Sequence, residues 1–323
     1  MEQVVAGRAA SWAGAGAARA VLSAGLIVLA LVAAWEAYKG LGAALGGTWP
    51  GTDVRLPVRP DDRTMPHTWE IVATLFEPAR RGGEEVLLVI LARAAFYTWR
   101  IAVVGFLVGS VVGLLLAVLL VRSRVAMRGL MPYVIASQTV PVLAIAPLLI
   151  SFARREQVPI WVPVAFLSAY LAFYPVTIAA VRGLRSPATT ATELFRSYAA
   201  PPRTVLLRLQ LPAALPFLFP ALRIAATASV IGAIVGELPA GQSDGLARQI
   251  LSFASSFSAA PEKLFASVLV SALLGVLFVG LVALVERLVV PAPLRHTDPA
   301  ERTGTAPTGT APTGTARPLV GTT

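Results

Sequence analysis

Apolar residues fall in long unbroken runs, separated by short clusters rich in arginine, glycine and proline. Six runs stand out, at about 20–37, 99–121, 129–153, 158–181, 216–237 and 264–285. A helix crosses a bilayer in about 20 apolar residues, whereas a membrane β-barrel shows weak alternation over segments of about 10. The pattern predicts an all-α integral membrane fold with about six transmembrane helices. The run 101–121 is the clearest, with no charge in it. The first run has two readings: small residues in VAAWEA offer a signal-peptide cleavage site, but signal cores are usually about 7–15 residues, so length favours a retained helix.

Polar and small positions inside the runs add detail. Gly105, Gly109 and Gly113 recur every four residues and share a helical face, as do Gly232 and Gly236. That spacing lets another helix approach closely in lipid. Glycine is also simply common in membrane helices, but three in register favour a packing face. The third run carries Pro132, Pro141 and Pro147 around Ser137, Gln138 and Thr139. Proline removes a backbone hydrogen bond, and freed carbonyls are tolerated in a membrane only against protein or a water-filled cavity. This run is the best candidate for lining a translocation path, and a bent structural helix fits equally well. The turn 154–157 brings the fourth run straight back, so the two form a hairpin. On the fourth run, Tyr170, Tyr174 and Thr177 give one polar-edged face. Arg223 lies about 10 Å into the fifth run at 1.5 Å per residue, where it can face a path, snorkel or pair.

Composition changes the picture in three ways. First, only 14% of the 323 residues are charged, against about 25% in soluble domains. Second, the net charge of +10 is almost all arginine, since Lys39 and Lys263 are the only lysines. The loops 122–130 and 182–215 hold eight arginines against one acid, Glu193, while 40–97 holds seven acids against six arginines. Positive-inside reasoning places the two basic loops and both termini in the cytoplasm of a prokaryotic cell, with Arg154-Arg155 a mild exception. Orientation in lipid thus explains the basic charge without nucleic acid. The N-terminal segment 1–19 and a tail at 292–323, with its TGTAPTGTAPTGTA repeat, are expected in the cytoplasm, the tail disordered. Third, there is no cysteine, and both histidines, His67 and His296, lie outside the runs. No metal site and no nucleophile–base pair is expected. Neither lysine precedes Ser or Thr, so the chain lacks the nucleotide-binding loop and should bind no cofactor itself.

The connection 40–97 is rich in glycine and proline, with a short amphipathic helix expected near 67–75. The other long polar interruption is 193–212, ELFRSYAAPPRTVLLRLQLP. Pro187 after Ser186 fits a first-turn position, and Thr190 to Glu193 fits a capping box as an alternative start. A short helix should run through Leu194, Phe195 and Tyr198, with Glu193 and Arg196 beside that bulky face, until Pro201-Pro202 ends it. Such a face reads either as a protein-binding knob or as a surface resting on lipid or its own bundle.

The spacing of 193–212 resembles the cytoplasmic EAA loop of ABC-importer permeases: EAA, three residues, Gly, nine residues, Ile-x-Leu-Pro. Glu193 takes the glutamate, Ala199 the glycine, Leu209 the isoleucine, and Leu211-Pro212 the final pair; Arg196 matches an arginine that often follows. Leu194 and Phe195 replace the two alanines. Further segments resemble the nitrate/sulfonate/taurine branch, which includes riboflavin and pyrimidine-precursor transporters. They are Gln138 to Pro141, Ala146 to Leu148, Phe173 to Pro175 with Arg182 to Leu184, Pro212 to Pro216, Ala221 to Arg223, and Gly236-Glu237. Where the branch commonly has Gly-x-Gly between the third and fourth spans, this chain has Ala153-Arg-Arg-Glu.

The resemblance implies a type I importer permease bundle within 20–291, with a coupling loop at 186–212. Its partners would be a second permease copy in a homodimer, cytoplasmic ABC ATPase subunits that bind ATP and Mg, and an extracytoplasmic solute-binding protein. The cargo would be a small organic or inorganic solute. The competing class is a stand-alone channel or ion-coupled transporter. Such carriers usually bury acids or histidines in mid-span; the core runs hold none there, and Glu237 stands at the end of its run.

Overall fold

The computed structural model describes residues 2–48, 56–79, 83–241 and 244–289, with side chains of the first helix described from residue 22 onward. The elements are α1 (Glu2–Ala44), α2 (Thr68–Ala73), α3 (Leu87–Arg122), α4 (Arg124–Ala136), α5 (Val142–Arg155), α6 (Trp161–Leu184), α7 (Thr189–Ser197), α8 (Pro202–Val205), α9 (Leu211–Glu237), α10 (Leu246–Ser255) and α11 (Pro261–Val289). Among the described residues there is no β-strand; Pro78 and Val86 form an isolated antiparallel bridge. The expected tail 292–323 lies outside the described residues.

The centre is α3, α6 and α9, joined where small residues let the backbones meet. Lipid offers no hydrophobic drive to bring helices together, so close packing must hold them. Gly105 lies against Ser168, Gly109 against Ala169 and Ala172, and Gly113 against Phe173 and Thr177. A Cβ at Gly109 would stand 2.5 Å from the Ala169 carbonyl oxygen, and one at Gly113 2.6 Å from that of Phe173. On α9, a Cβ at Gly232 would stand 2.7 Å from Ser168 Cα, and one at Gly236 3.1 Å from a Val164 side-chain carbon. Both glycine rows therefore abut α6, and they meet at Ser168, which Gly105 and Gly232 both touch. Ser168 Oγ also donates to the Ser229 carbonyl at 2.7 Å, a buried bond between α6 and α9.

These contacts fix helix direction and, with it, topology. Numbers rise together along α3 and α6 (105 with 168, 113 with 177), so the two are parallel. They run oppositely along α6 and α9 (183 with 214, 168 with 232), so those are antiparallel. Two parallel neighbours require the chain between them to cross back. The segment α4–α5, bent by 91°, must make that crossing as one broken span rather than a loop returning to its own side. With α1, α3, α6, α9 and α11, this gives six crossings.

One end of the bundle gathers 122–130, 182–215 and the start of α9; Ser186 Oγ donating to the Ala213 carbonyl (3.3 Å) closes it. The other end gathers α2, the start of α3, the turn after α5, α10 and the start of α11. There Arg154 donates to the Ala240 carbonyl, and Lys263 Nζ to the Ala79 carbonyl at 2.9 Å. Arg154, the exception in the charge count, is thus engaged with the end of α9.

Helix limits differ from the apolar runs wherever polar residues extend a helix past the lipid. α3 begins at Leu87, so Arg93 and Arg100 ride on a projecting amphipathic stretch. The run at 129–153 is two helices, because Pro141 is the cap of α5 and cannot continue α4. α1 starts at Glu2 and covers the segment expected only as a terminus. It leans little on the bundle: every residue from Leu22 to Ala34 is exposed. A polar clasp at its end holds it. Trp35 Nε1 donates to the Pro66 carbonyl at 3.1 Å. Glu36 accepts from the Thr68 amide at 2.8 Å and hydroxyl at 2.7 Å, and faces His67 Nδ1 at 2.7 Å. Lys39 pairs with Asp62 at 2.7 Å. The Lys39 ammonium, by hydrogen bond and charge, holds the Asp62 carboxyl below its usual range.

Candidate functional site

α7 lies at the arginine-rich end and carries the expected helix, with different limits. It begins after Ala188 rather than at Pro187 or Thr190, with no side-chain cap at its start. It ends at Ser197, so Tyr198 is the cap residue rather than part of the helix. Pro201-Pro202 does not terminate it: Pro201 caps α8 and Pro202 is its first residue. Proline suits that position because the first amides of a helix have no intrahelical partner.

What ends α7 is Ala199. Its φ is +48°, the left-handed region. The Ala200 amide bonds the Phe195 carbonyl at 3.0 Å and the Ala199 amide the Arg196 carbonyl at 2.9 Å. This is a Schellman turn, in which the residue after the cap is usually glycine, because a Cβ is penalised there. The glycine of the resembled pattern thus has a physical role, which Ala199 fills under strain. The turn after α5 repeats the device. Gln157 has φ +55°, and Val158 and Gln157 bond the carbonyls of Ala153 and Arg154 at 2.8 and 3.4 Å.

The outer face of α7 is open. Leu194 is 54% and Tyr198 78% exposed, with Glu193 and Arg196 exposed and Phe195 half-buried. Glu193 and Arg196 make no ion pair among the described residues. Behind the loop, α8 leads through a π-turn, Leu206–Gln210, into α9, where Leu211 is half-buried and Pro212 exposed. From Pro202 to Ala240 the chain is helical without interruption. The α9 core is thus one rod that begins beyond the end of α7, joined to it by the four-residue turn at 198–201.

The candidate path residues separate into two groups. Ser137, Gln138 and Thr139 form the break between α4 and α5. Ser137 and Thr139 donate to the Val134 and Ala136 carbonyls at 2.7 and 2.8 Å, while Gln138 is exposed. Tyr170 joins them by donating to the Ser137 carbonyl, and Tyr174 is half-buried nearby on the same helix. Thr177 stands apart: it is fully buried against Gly113, its hydroxyl bonded to its own backbone at Phe173 (2.8 Å). Arg223 is apart too. It pairs with Glu286, tying α9 to the end of α11.

Residues with defined roles that sequence spacing did not single out are Glu286, Thr98, Gly245 and Arg154. The first two show no local pattern. A signal for α10 existed in Leu246, Ile250 and Phe253, spaced at i, i+4 and i+7. At the end with α10, a cavity of about 790 Å³ opens between the start of α3 and α10, with Arg93, Tyr97, Arg100 and Asp244 on its walls. No group of three or more metal-ligating side chains occurs among the described residues.

Residues 109–291 match the family described as "Binding-protein-dependent transport system inner membrane component". The chain is 32% identical over 194 residues to the formylaminopyrimidine transport permease protein ThiX of Halalkalibacterium halodurans, covering 60% of this chain and 75% of that one. It is 32% identical over 186 residues to a putative aliphatic sulfonates transport permease protein, SsuC, of Bacillus subtilis, covering 58% and 65%. In fold it resembles a chain of the MetNI methionine ABC transporter in an inward-facing conformation, with a TM-score of 0.55 and 20% identity over 64% of this chain and all of that one.

Proposed function

Because the chain belongs to the binding-protein-dependent transport system inner membrane components, the permease subunits of ABC importers, we propose that α7 is where a separate ATPase drives it. The observation carrying this is the open Leu194–Tyr198 face at the head of the Pro202–Ala240 rod. A push on α7 reaches α9 through the Ala199 turn and α8, and α9 is packed through glycines onto α6. Glu193, Leu194, Phe195, Arg196, Tyr198, Ala199, Leu211 and Pro212 form or support the docking face. ATP and Mg belong to the partner.

The arginine-rich end faces the cytoplasm, because eight arginines and one acid lie in its loops. Both termini then lie inside, and α2 and α10 outside, where a solute-binding protein delivers cargo. α1 is retained: Trp35 and Glu36, inside the VAAWEA stretch, are fastened to the outer segment. The break at Ser137–Thr139, with Tyr170 and Tyr174, lines the path between two copies of the chain in a homodimer. An interrupted helix is tolerable in a membrane only against water or protein. The cargo is a small organic solute of the kind named for the relatives, a pyrimidine precursor or a sulfonate. With Arg223 already paired to Glu286, an uncharged heterocycle fits the path better than an anion.

The test is charge reversal at Glu193 and at Arg196 in the assembled transporter. Transport should fall at least tenfold while the permease stays folded and its partner ATPase still hydrolyses ATP. Full-rate transport in both variants would overturn the docking role.

A further inference from the structure

The stretch 237–240, at the end of α9, is held by two other parts of the fold at once. Glu237 is 1% exposed, and its Oε2 accepts from Thr98 Oγ1 on α3 (3.1 Å) and from the Ala247 amide of α10 (3.3 Å). Thr98 Oγ1 in turn accepts from the Leu246 amide at 3.0 Å. The first two amides of α10 are therefore satisfied by side chains of α3 and α9 rather than by a capping residue of its own. Gly245 occupies the cap position, and any Cβ there would fall on the Glu237 carboxylate. One turn further on, the Ala240 carbonyl accepts from Arg154, at the end of α5. The chain then leaves through Gly241 at φ +64°.

We propose that Glu237, Thr98 and Arg154 form a latch that passes movement of α10 into α5, the half of the broken span leading to the Ser137–Thr139 break. These are positioning residues. α10 is a ten-residue helix set at the opposite end from α7, and its N-terminal orientation depends on the buried carboxylate. The path from it is short: two α10 amides, one carboxylate, one helical turn, one guanidinium. A buried amide or carboxylate left without its partner is costly, so α10 and α5 shift together or the latch breaks. Resting on the permease reading, this makes α10 the receiving element for the extracytoplasmic solute-binding protein, with the 790 Å³ cavity beside it as the space into which it can move.

The test begins on the chain alone in lipid nanodiscs, by amide hydrogen exchange in Glu237→Gln, Thr98→Val, Arg154→Gln and Arg154→Lys. The latch predicts that Glu237→Gln and Thr98→Val speed exchange at least fivefold in α5 as well as in α10. Arg154→Gln, whose shorter, uncharged side chain falls short of the Ala240 carbonyl, should do the same in α10 as well as in α5, and Arg154→Lys, which keeps a long charged donor, should restore at least half of the protection. Effects confined to α10 in the first two variants and to α5 in the third would overturn it. Thr98→Val removes one hydroxyl and keeps the packing shape, which provides a readout should Glu237→Gln fail to fold. In the transporter reconstituted with its ATPase and binding protein, Arg154→Gln should lower stimulation by loaded binding protein at least fivefold with unstimulated hydrolysis unchanged. A parallel loss of both rates would overturn the coupling role. A wild-type chain that assembles with no ATPase would overturn the permease reading and leave the exchange result standing.

Discussion

Replacing Ala199 by glycine should tighten the link between α7 and α8. Ala199 sits at φ +48° in the Schellman turn that ends α7. The left-handed conformation costs an L-residue about 1–2 kcal/mol, while the greater freedom of glycine in the unfolded chain returns about 0.4–1 kcal/mol. The balance favours the ordered turn by about 0.5–1 kcal/mol, roughly a two- to fivefold gain in its population at tenfold per 1.4 kcal/mol. Ala199→Val should move the other way, because a β-branched side chain is still less tolerant of positive φ. The assay is amide exchange at 199–205 in nanodiscs, where the Ala199 and Ala200 amides close the turn at 2.9 and 3.0 Å. Glycine should slow their exchange about two- to fivefold, and valine should speed it. If glycine accelerates exchange, or if neither substitution has any effect, the turn is not what organises the loop.

Other predictions follow from the packing and the charges. Gly109→Ala would place a methyl 2.5 Å from a backbone oxygen of α6; overpacking of about 1–3 kcal/mol should lower the melting temperature in detergent. Gly280→Ala, with nothing within 4 Å, should leave it unchanged. Arg223→Gln and Glu286→Gln should each destabilise the protein more than the double variant does, since each alone strands a charge. A transport defect in Arg223→Gln that Glu286→Gln lacks would return Arg223 to the path. The depressed Asp62 carboxyl contributes stability that is present above the unfolded value of about 4 and is lost as pH falls through its lower folded value. Spin labels on α1 and 56–66, placed in a chain without native cysteine, should keep their separation from pH 7 to about 4.5. Opening within that window would contradict the Lys39–Asp62 contribution.

Solid apolar runs made the bundle legible, because lipid demands long helices whatever their neighbours. Glycine registers such as 105, 109 and 113 made its packing faces legible, because small residues in register let a neighbouring helix approach closely. The break at Ser137–Thr139 was visible as proline and polar residues, but its 91° angle was not, because proline marks a break without fixing its size. At 186–212, the pattern of residues carried the helix, while the end of that helix lies at Ser197 rather than at Pro201-Pro202. Conformation decided it: an alanine in left-handed geometry leaves no mark in composition. Long-range pairings, such as Arg223 with Glu286 or Glu237 with Thr98, join residues 63 and 139 positions apart and have no local signature.

Site-specific photocrosslinking from α7 tests the central claim most directly. A photoreactive residue at Leu194 or Tyr198, in the native membrane, should yield an adduct with the partner ATPase. One at Trp69, 59% exposed at the opposite end of the bundle, should yield none. An ATPase that copurifies with the chain yet crosslinks from neither Leu194 nor Tyr198, or crosslinks from Trp69 instead, would contradict the assignment of α7 as the site where it docks.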